Sequence, residues 1–215
     1  MYDYQRFSNI LKKNPVVPVV AIENAEDALP LCETLISNGI NIIEITLRTE
    51  AAIDAIKAVI NSKIKIFLGA GTVYTSDQFE RLEDIGVDFI VSPGTTDDLL
   101  NYAQMSKMAY LPGVMTSSEI LKVRNCGFKF QKLFPANIAG GLNALKAYSS
   151  VYSDVKFCPT GGVNSSNFVE FLSKDNVCAV GGTWIADSNS ISTHNWDVIA
   201  KRANDIDSIR TEPNN

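Results

Sequence analysis

Eight times along this chain a short apolar run gives way to a stretch with helical spacing, and that alternation constrains the fold more than anything else in it. VVPVVAI (16–22) is short and β-branched, so it reads as a strand. AEDALPLCETLISNG (25–39) has helical spacing and ends in glycine, the usual residue just past a helix. NIIEITL (41–47) is followed by EAAIDAIKAVI (50–60), KIFLGAG (65–71) by SDQFERLEDIG (76–86), and DFIVSPG (88–94) by TDDLLNYAQ (96–104). AYLPGV (109–114) precedes SSEILKVRNCG (117–127), and FKFQKLFP (128–135) precedes NALKAYSSV (143–151). KFCPTGG (156–162) with NSSNFVEFLSK (164–174), then VCAVGGTW (177–184) with a helix inside 195–209, complete the series.

Eight such units in 215 residues predict an α/β fold: a closed parallel (β/α)8 barrel, the TIM barrel, as one domain over 1–215. Segment 3–13 is expected as an extra N-terminal helix, and the tail TEPNN (211–215) is expected to fray. An open doubly wound sheet is the alternative. Against it, no strand is followed by GxGxxG or GxxxxGK[ST]. The glycine-rich turns follow the seventh and eighth strands instead, where a barrel often holds a phosphate.

Composition excludes several function classes. A net charge of −5 argues against a broad surface for nucleic acid or an anionic membrane. The start, MYDYQRFSNILKKNP, lacks the apolar stretch of a signal peptide, and no window is long enough to span a bilayer. A soluble cytoplasmic protein is expected. Cys32, Cys126, Cys158 and Cys178 are isolated and read as reduced, inert thiols. His194 is the single histidine, so a histidine triad, a zinc cluster and a multi-histidine metal site all lack parts. No metal and no cofactor is expected. His194 and Trp196 carry no functional reading.

A barrel places its chemistry at the C-terminal ends of its strands, and alternate residues of a strand face opposite sides. In the second strand Ile43, Ile45 and Leu47 form the set facing the helices, which leaves Ile42, Glu44, Thr46 and Arg48 facing inward. Charges there need partners or a task. An internal Glu44–Arg48 ion pair is the structural alternative. In the sixth strand Phe128, Phe130, Lys132 and Phe134 share one parity. A lysine desolvated among aromatic rings is pushed toward its neutral amine, the form that attacks a carbonyl. Its alternative, a pairing with a carboxylate such as Glu44, is compatible with function, because imine formation needs an acid/base nearby. Thr72 of GAGT and Pro93 of SPGTT fall at strand ends. The pairs Gly161–Gly162 and Gly181–Gly182, with Thr183, leave backbone N–H groups open to an oxyanion, helped by a following helix N-terminus.

Taken together, VVPVV, EITLRTEAAIDAI, GAGTV, SPG, KLFPAN, CPTGGV and GGTW, in order over roughly 10–187, resemble the 2-keto-3-deoxy-6-phosphogluconate (KDPG) aldolases and the overlapping 4-hydroxy-2-oxoglutarate (KHG) aldolases. The resemblance implies a class I pyruvate aldolase, a lyase on a (β/α)8 barrel, usually homotrimeric. It implies a Schiff-base lysine at Lys132 and a general acid/base at Glu44. Arg48 and Thr72 would hold the pyruvate carboxylate, Pro93 and Phe134 would shape the pocket, and Gly161, Gly162, Gly182 and Thr183 would line the phosphate site. The chain departs at GGTW, where many members have GGSW, and the extra methyl of Thr183 bears on phosphate preference.

The implied reaction cleaves 2-keto-3-deoxy-6-phosphogluconate to pyruvate and glyceraldehyde 3-phosphate, as in the Entner–Doudoroff route, with a small keto acid as the partner. Three rivals stand beside it. One is the same chemistry on 4-hydroxy-2-oxoglutarate or on the galactonate epimer. Another is a phosphate-binding barrel isomerase or epimerase in which Lys132 is only electrostatic. The last is a non-catalytic ligand-binding barrel.

Overall fold

The structure, a computed structural model, describes residues 4–211, with side chains over 7–206. Most of the tail expected to fray, 212–215, lies outside the described residues. A first helix, α1 (Tyr4–Lys13), leads into β1 (Val16–Val20). The chain then alternates through α2 (Ala28–Ser37), β2 (Ile42–Thr46), α3 (Ala52–Ser62), β3 (Phe67–Gly71), α4 (Ser76–Ile85), β4 (Phe89–Val91) and α5 (Asp97–Met105). After β5 (Ala109–Leu111) and β6 (Gly113–Val114) come α6 (Ser117–Asn125), β7 (Phe130–Leu133), α7 (Gly141–Val151), β8 (Lys156–Phe157) and α8 (Phe168–Leu172). The last elements are β9 (Val180–Gly182), α9 (Ser188–Ser192) and α10 (Trp196–Thr211).

The strands form two parallel sheets, ordered β5-β4-β3-β2-β1-β9 and β6-β7-β8. The expected strand 109–114 is split at Pro112. Proline has no N–H to give to a ladder, although its carbonyl still accepts the Lys132 amide at 2.8 Å. Gly113 N–H turns instead to the buried Ser92 hydroxyl at 3.3 Å, and that hydroxyl also meets Tyr110 Oη at 2.7 Å. Between β8 and β9 the ladder thins to single bridges, with Cys178 N–H on Phe157 O and Gly181 N–H on Pro159 O, both at 2.9 Å. Pro159 again removes a donor.

Every residue of β1 and β2 is buried, as strands covered on both faces require. The aromatic rings mark the two sides of the sheet. Phe7 of α1 packs against Phe67, Phe89 and Phe130, from three different strands, with ring centroids 5.8–6.3 Å apart. Phe89 lies so close to Gly69 that a Cβ there would stand 2.2 Å from its ring. One end of the concave side is therefore filled. Phe128 departs from the expected parity: it precedes β7 and packs edge-on to Tyr110, which itself meets Phe79 of α4. The alternation begins at Phe130. We expect Phe7→Ala, which empties a site 1% exposed, to destabilise the fold by about 3–5 kcal/mol in urea unfolding.

Helix starts follow the sequence closely. TSDQ and TSSE are capping boxes: Thr75 and Thr116 accept from Gln78 and Glu119 N–H, and the Gln and Glu side chains reach back. The helix expected over 164–174 is shorter, Phe168–Leu172, because Asn164 and Asn167 spend their side chains on a turn. The five-residue α9 was not expected, being too short for periodicity to show. Its cap, Asp187, accepts from Ser190 N–H and Arg202. Burial opposes ionisation there, yet these bonds prevail and hold the carboxyl at about 2. A depressed carboxyl stabilises the fold above its ordinary 3.8 and loses that contribution as pH falls toward about 2. The urea midpoint of Asp187→Asn is therefore expected below wild type at neutral pH, the gap closing across that acid window.

Among the described residues no helix is long and apolar enough to cross a membrane. The four cysteines are free, and burial raises the thiols of Cys32 and Cys158 to about 12 and that of Cys178 well above its ordinary value. None of these three offers a thiolate.

Candidate active site

The end of the concave side opposite the Phe7 cluster is open. Glu44, Thr46 and Arg48 project there from β2 and the residues just past it, two apart, as strand alternation requires. Lys132 from β7 and Phe134 just past it do the same. Thr72 and Pro93 reach in from beyond β3 and β4, and Gly161, Gly162, Gly182 and Thr183 close the remaining wall. Of the residues read from the sequence as site residues, Gly181 alone is set apart: its N–H is spent on Pro159 O at 2.9 Å and is not open to an oxyanion, while the others line this one pocket.

At its floor Lys132 Nζ donates to Glu44 Oε1 at 3.2 Å, across 88 positions of sequence. Lys132 is 5% exposed and Glu44 3%. The ammonium also lies 5.1 Å from the centre of the Phe134 ring, within cation–π range. Glu44 thus pairs with Lys132 and not with Arg48, whose Nε–H goes to Thr46 Oγ1 at 3.0 Å. Space for the carboxylate comes from Gly71: a Cβ at that position would sit 2.0 Å from Glu44 Oε1. The next residue, Thr72, has φ +64. A β-branched residue in the left-handed region is strained, and such residues concentrate at functional sites.

The glycine wall is close-packed. A Cβ on Gly162 would stand 2.5 Å from Asn137, and one on Gly182 would enter the Trp184 ring. Larger residues would displace the loops that shape the pocket. One expectation is corrected here. The helices following these turns, α8 and α9, are five residues each and start only at Phe168 and Ser188. Loop N–H groups, and not an adjoining helix dipole, are what this wall offers an oxyanion.

Five more residues line the pocket: Val19, Thr46, Tyr74, Thr160 and Val163. Thr46 shares the parity of Glu44 and Arg48, so a signal for it was present. Thr160 stands in CPTGG, directly before the glycine pair. Val19 and Val163 look like ordinary core residues in sequence. Tyr74 is 57% exposed at the rim and carries no local signal. Among the described residues no three or more His, Cys, Asp or Glu side chains come together to hold a metal ion.

A buried amine in contact with a buried carboxylate supplies a nucleophile and a proton carrier at one point. The family model for KDPG and KHG aldolase matches residues 7–202. The 2-dehydro-3-deoxy-phosphogluconate aldolase of Pseudoalteromonas atlantica is 40% identical, over 91% of both chains. The KHG/KDPG aldolase of Escherichia coli K12 is 37% identical, over 91% of this chain and 92% of its own. Among solved structures, KDPG aldolase from Legionella pneumophila, with pyruvate captured at low pH as a covalent carbinolamine intermediate, superposes with a TM-score of 0.90. It is 43% identical and covers 93% of this chain and 97% of its own. From its motifs, its fold and its likeness along nearly the whole length, this chain belongs to the KDPG and KHG aldolase family.

Proposed function

We propose that this protein is a class I aldolase that cleaves 2-keto-3-deoxy-6-phosphogluconate to pyruvate and glyceraldehyde 3-phosphate through a Schiff base on Lys132. The observation that carries the reading is the buried Lys132–Glu44 contact at 3.2 Å on the pocket floor. A structural ion pair would be as well placed anywhere in the core, whereas this one opens onto the pocket.

The steps follow from the groups present. Lys132, having passed a proton to Glu44, attacks C2 of the keto acid to give a carbinolamine. Glu44 protonates the departing hydroxyl, water leaves, and a protonated imine remains. Glu44 then takes the C4 hydroxyl proton. The C3–C4 bond breaks, its electron pair moves into the imine to form an enamine, and the aldehyde departs. Protonation at C3 and hydrolysis release pyruvate and restore the amine. Arg48 and Thr72 hold the carboxylate, which aligns C2 with Nζ. Pro93 and Phe134 bound the methylene end, and the loop amides at Gly161 and Gly162, with Gly182 and the Thr183 hydroxyl beside them, line the phosphate end. No metal or cofactor takes part in these steps.

The same reading treats the two sheets as one closed eight-stranded barrel over 1–215, with β5 and β6 as a single strand. The Phe157–Val177 and Thr160–Gly181 bridges support that closure. It also places the enzyme as a cytoplasmic homotrimer in the Entner–Doudoroff route; the trimer and the route rest on family likeness, and the trimer is checked by light scattering.

Incubation with pyruvate and borohydride, followed by peptide mapping, tests the core of the proposal. A pyruvate-derived adduct on Lys132 is expected. Pyruvate binding without an adduct would leave the isomerase reading, with the lysine electrostatic. A comparison of glyceraldehyde 3-phosphate with glyoxylate as the aldehyde partner separates KDPG from KHG chemistry.

A further inference from the structure

Arg48 lies just beyond β2, and one neighbour sets its orientation. Its Nε–H donates to Thr46 Oγ1 at 3.0 Å, while the Thr46 hydroxyl donates to the Val20 carbonyl at 2.8 Å. The direction of this chain follows from the groups themselves. A carbonyl only accepts, a guanidinium only donates, and a hydroxyl has one proton. The Thr46 proton is therefore committed to Val20, and a lone pair is left facing Arg48. Thr46 is 1% exposed, so water does not compete for that lone pair, and its β-branched side chain is stiff about χ1. A second threonine anchors the same segment: Thr49 Oγ1 donates to Ile22 O at 2.5 Å, tying it to the turn after β1.

A guanidinium can meet a carboxylate along either of two edges. One edge uses Nε with a terminal nitrogen, and the other uses both terminal nitrogens. With Nε taken by Thr46, the terminal edge is the one left open, and among the described residues it has no protein partner.

We propose that Thr46 is a positioning residue that commits the terminal-nitrogen edge of Arg48 to the substrate carboxylate, and through it sets where C2 lies relative to Lys132 Nζ. The proposal rests on the aldolase reading above and adds to it a residue that touches Arg48, with the edge that residue selects. Loss of the Thr46 hydroxyl frees the guanidinium to rotate, and the carboxylate is then met along either edge. Binding weakens and the reacting atoms are less often aligned.

The test is a kinetic cycle on the full-length enzyme, following aldehyde release from the phosphorylated keto acid. Thr46→Val is expected to lower kcat/KM roughly 10- to 100-fold, the scale of losing a hydrogen bond to a charged group, mainly through KM. Thr46→Ser, which keeps the hydroxyl, should restore most of it. In an Arg48→Ala background, adding Thr46→Val should lower kcat/KM no further, because the residue acts only through the arginine. Losses that add in full across the cycle, or a wild-type KM in Thr46→Val, would overturn the proposal. Thr46→Ala is carried in parallel, since it loses the same bond without placing a methyl against the Val20 carbonyl. Borohydride trapping of wild type with pyruvate is the separate control. If that fails, the aldolase reading itself is wrong, whatever the cycle shows.

Discussion

Lys132→Ala is expected to abolish cleavage, with a loss on the order of 10⁶-fold, the scale seen when a covalent nucleophile is removed. Among the described residues no other amine lines the pocket to replace it. The fold should survive. The lysine is buried, but its Nζ faces a cavity and does not fill a packed layer. The substitution does strand Glu44, 3% exposed, without its ion-pair partner. An unpaired buried charge is costly, but Glu44 also lines the open pocket, where solvent can reach it, so the cost falls short of unfolding the protein. Circular dichroism and a thermal melt should therefore show a native protein, and mass spectrometry after pyruvate and borohydride should show no adduct. Wild-type-like turnover by this variant would sink the imine mechanism outright.

Glu44→Gln should slow turnover by roughly 100- to 10,000-fold, the usual range for losing a general acid/base. Glutamine has nearly the same shape, fits the space that Gly71 leaves, and can still accept from Lys132 through its amide oxygen. Nucleophile and pocket geometry are then kept while proton transfer is lost. The variant should accordingly still form the borohydride-trapped pyruvate adduct, but slowly. An unchanged rate would reassign the proton shuttle to another group, with the Thr160 hydroxyl, also in the pocket, the first to examine.

Much of the site could be read from local sequence because side-chain alternation follows from the extended backbone of a strand alone. Glu44 and Thr46 must share one face of β2, and Phe130 and Lys132 one face of β7, while Arg48 and Phe134, just past the strand ends, reach the same side through the turns that follow. Proline and glycine are less simply read. Pro112 and Pro159 lie inside runs that look continuous, and the structure breaks the ladder at both, since neither can donate. Gly71 reads as part of a turn, yet its missing Cβ is what admits the Glu44 carboxylate. Nothing near Gly71 in sequence could show that, because the atoms that need the space come from another strand.

What the sequence by itself determined is the alternation of strands and helices, the face each charged residue takes, and the identity of the chemical groups. These depend on residues within a few positions of one another. Only the tertiary structure decided that Glu44 meets Lys132, that Arg48 bonds Thr46 and not Glu44, and that Phe7 fills one end of the concave side so that the pocket opens at the other. Those outcomes are set by register and curvature summed over many strand pairs. A contact between residues 88 positions apart has no local signature, because its energy depends on where the whole sheet carries each group.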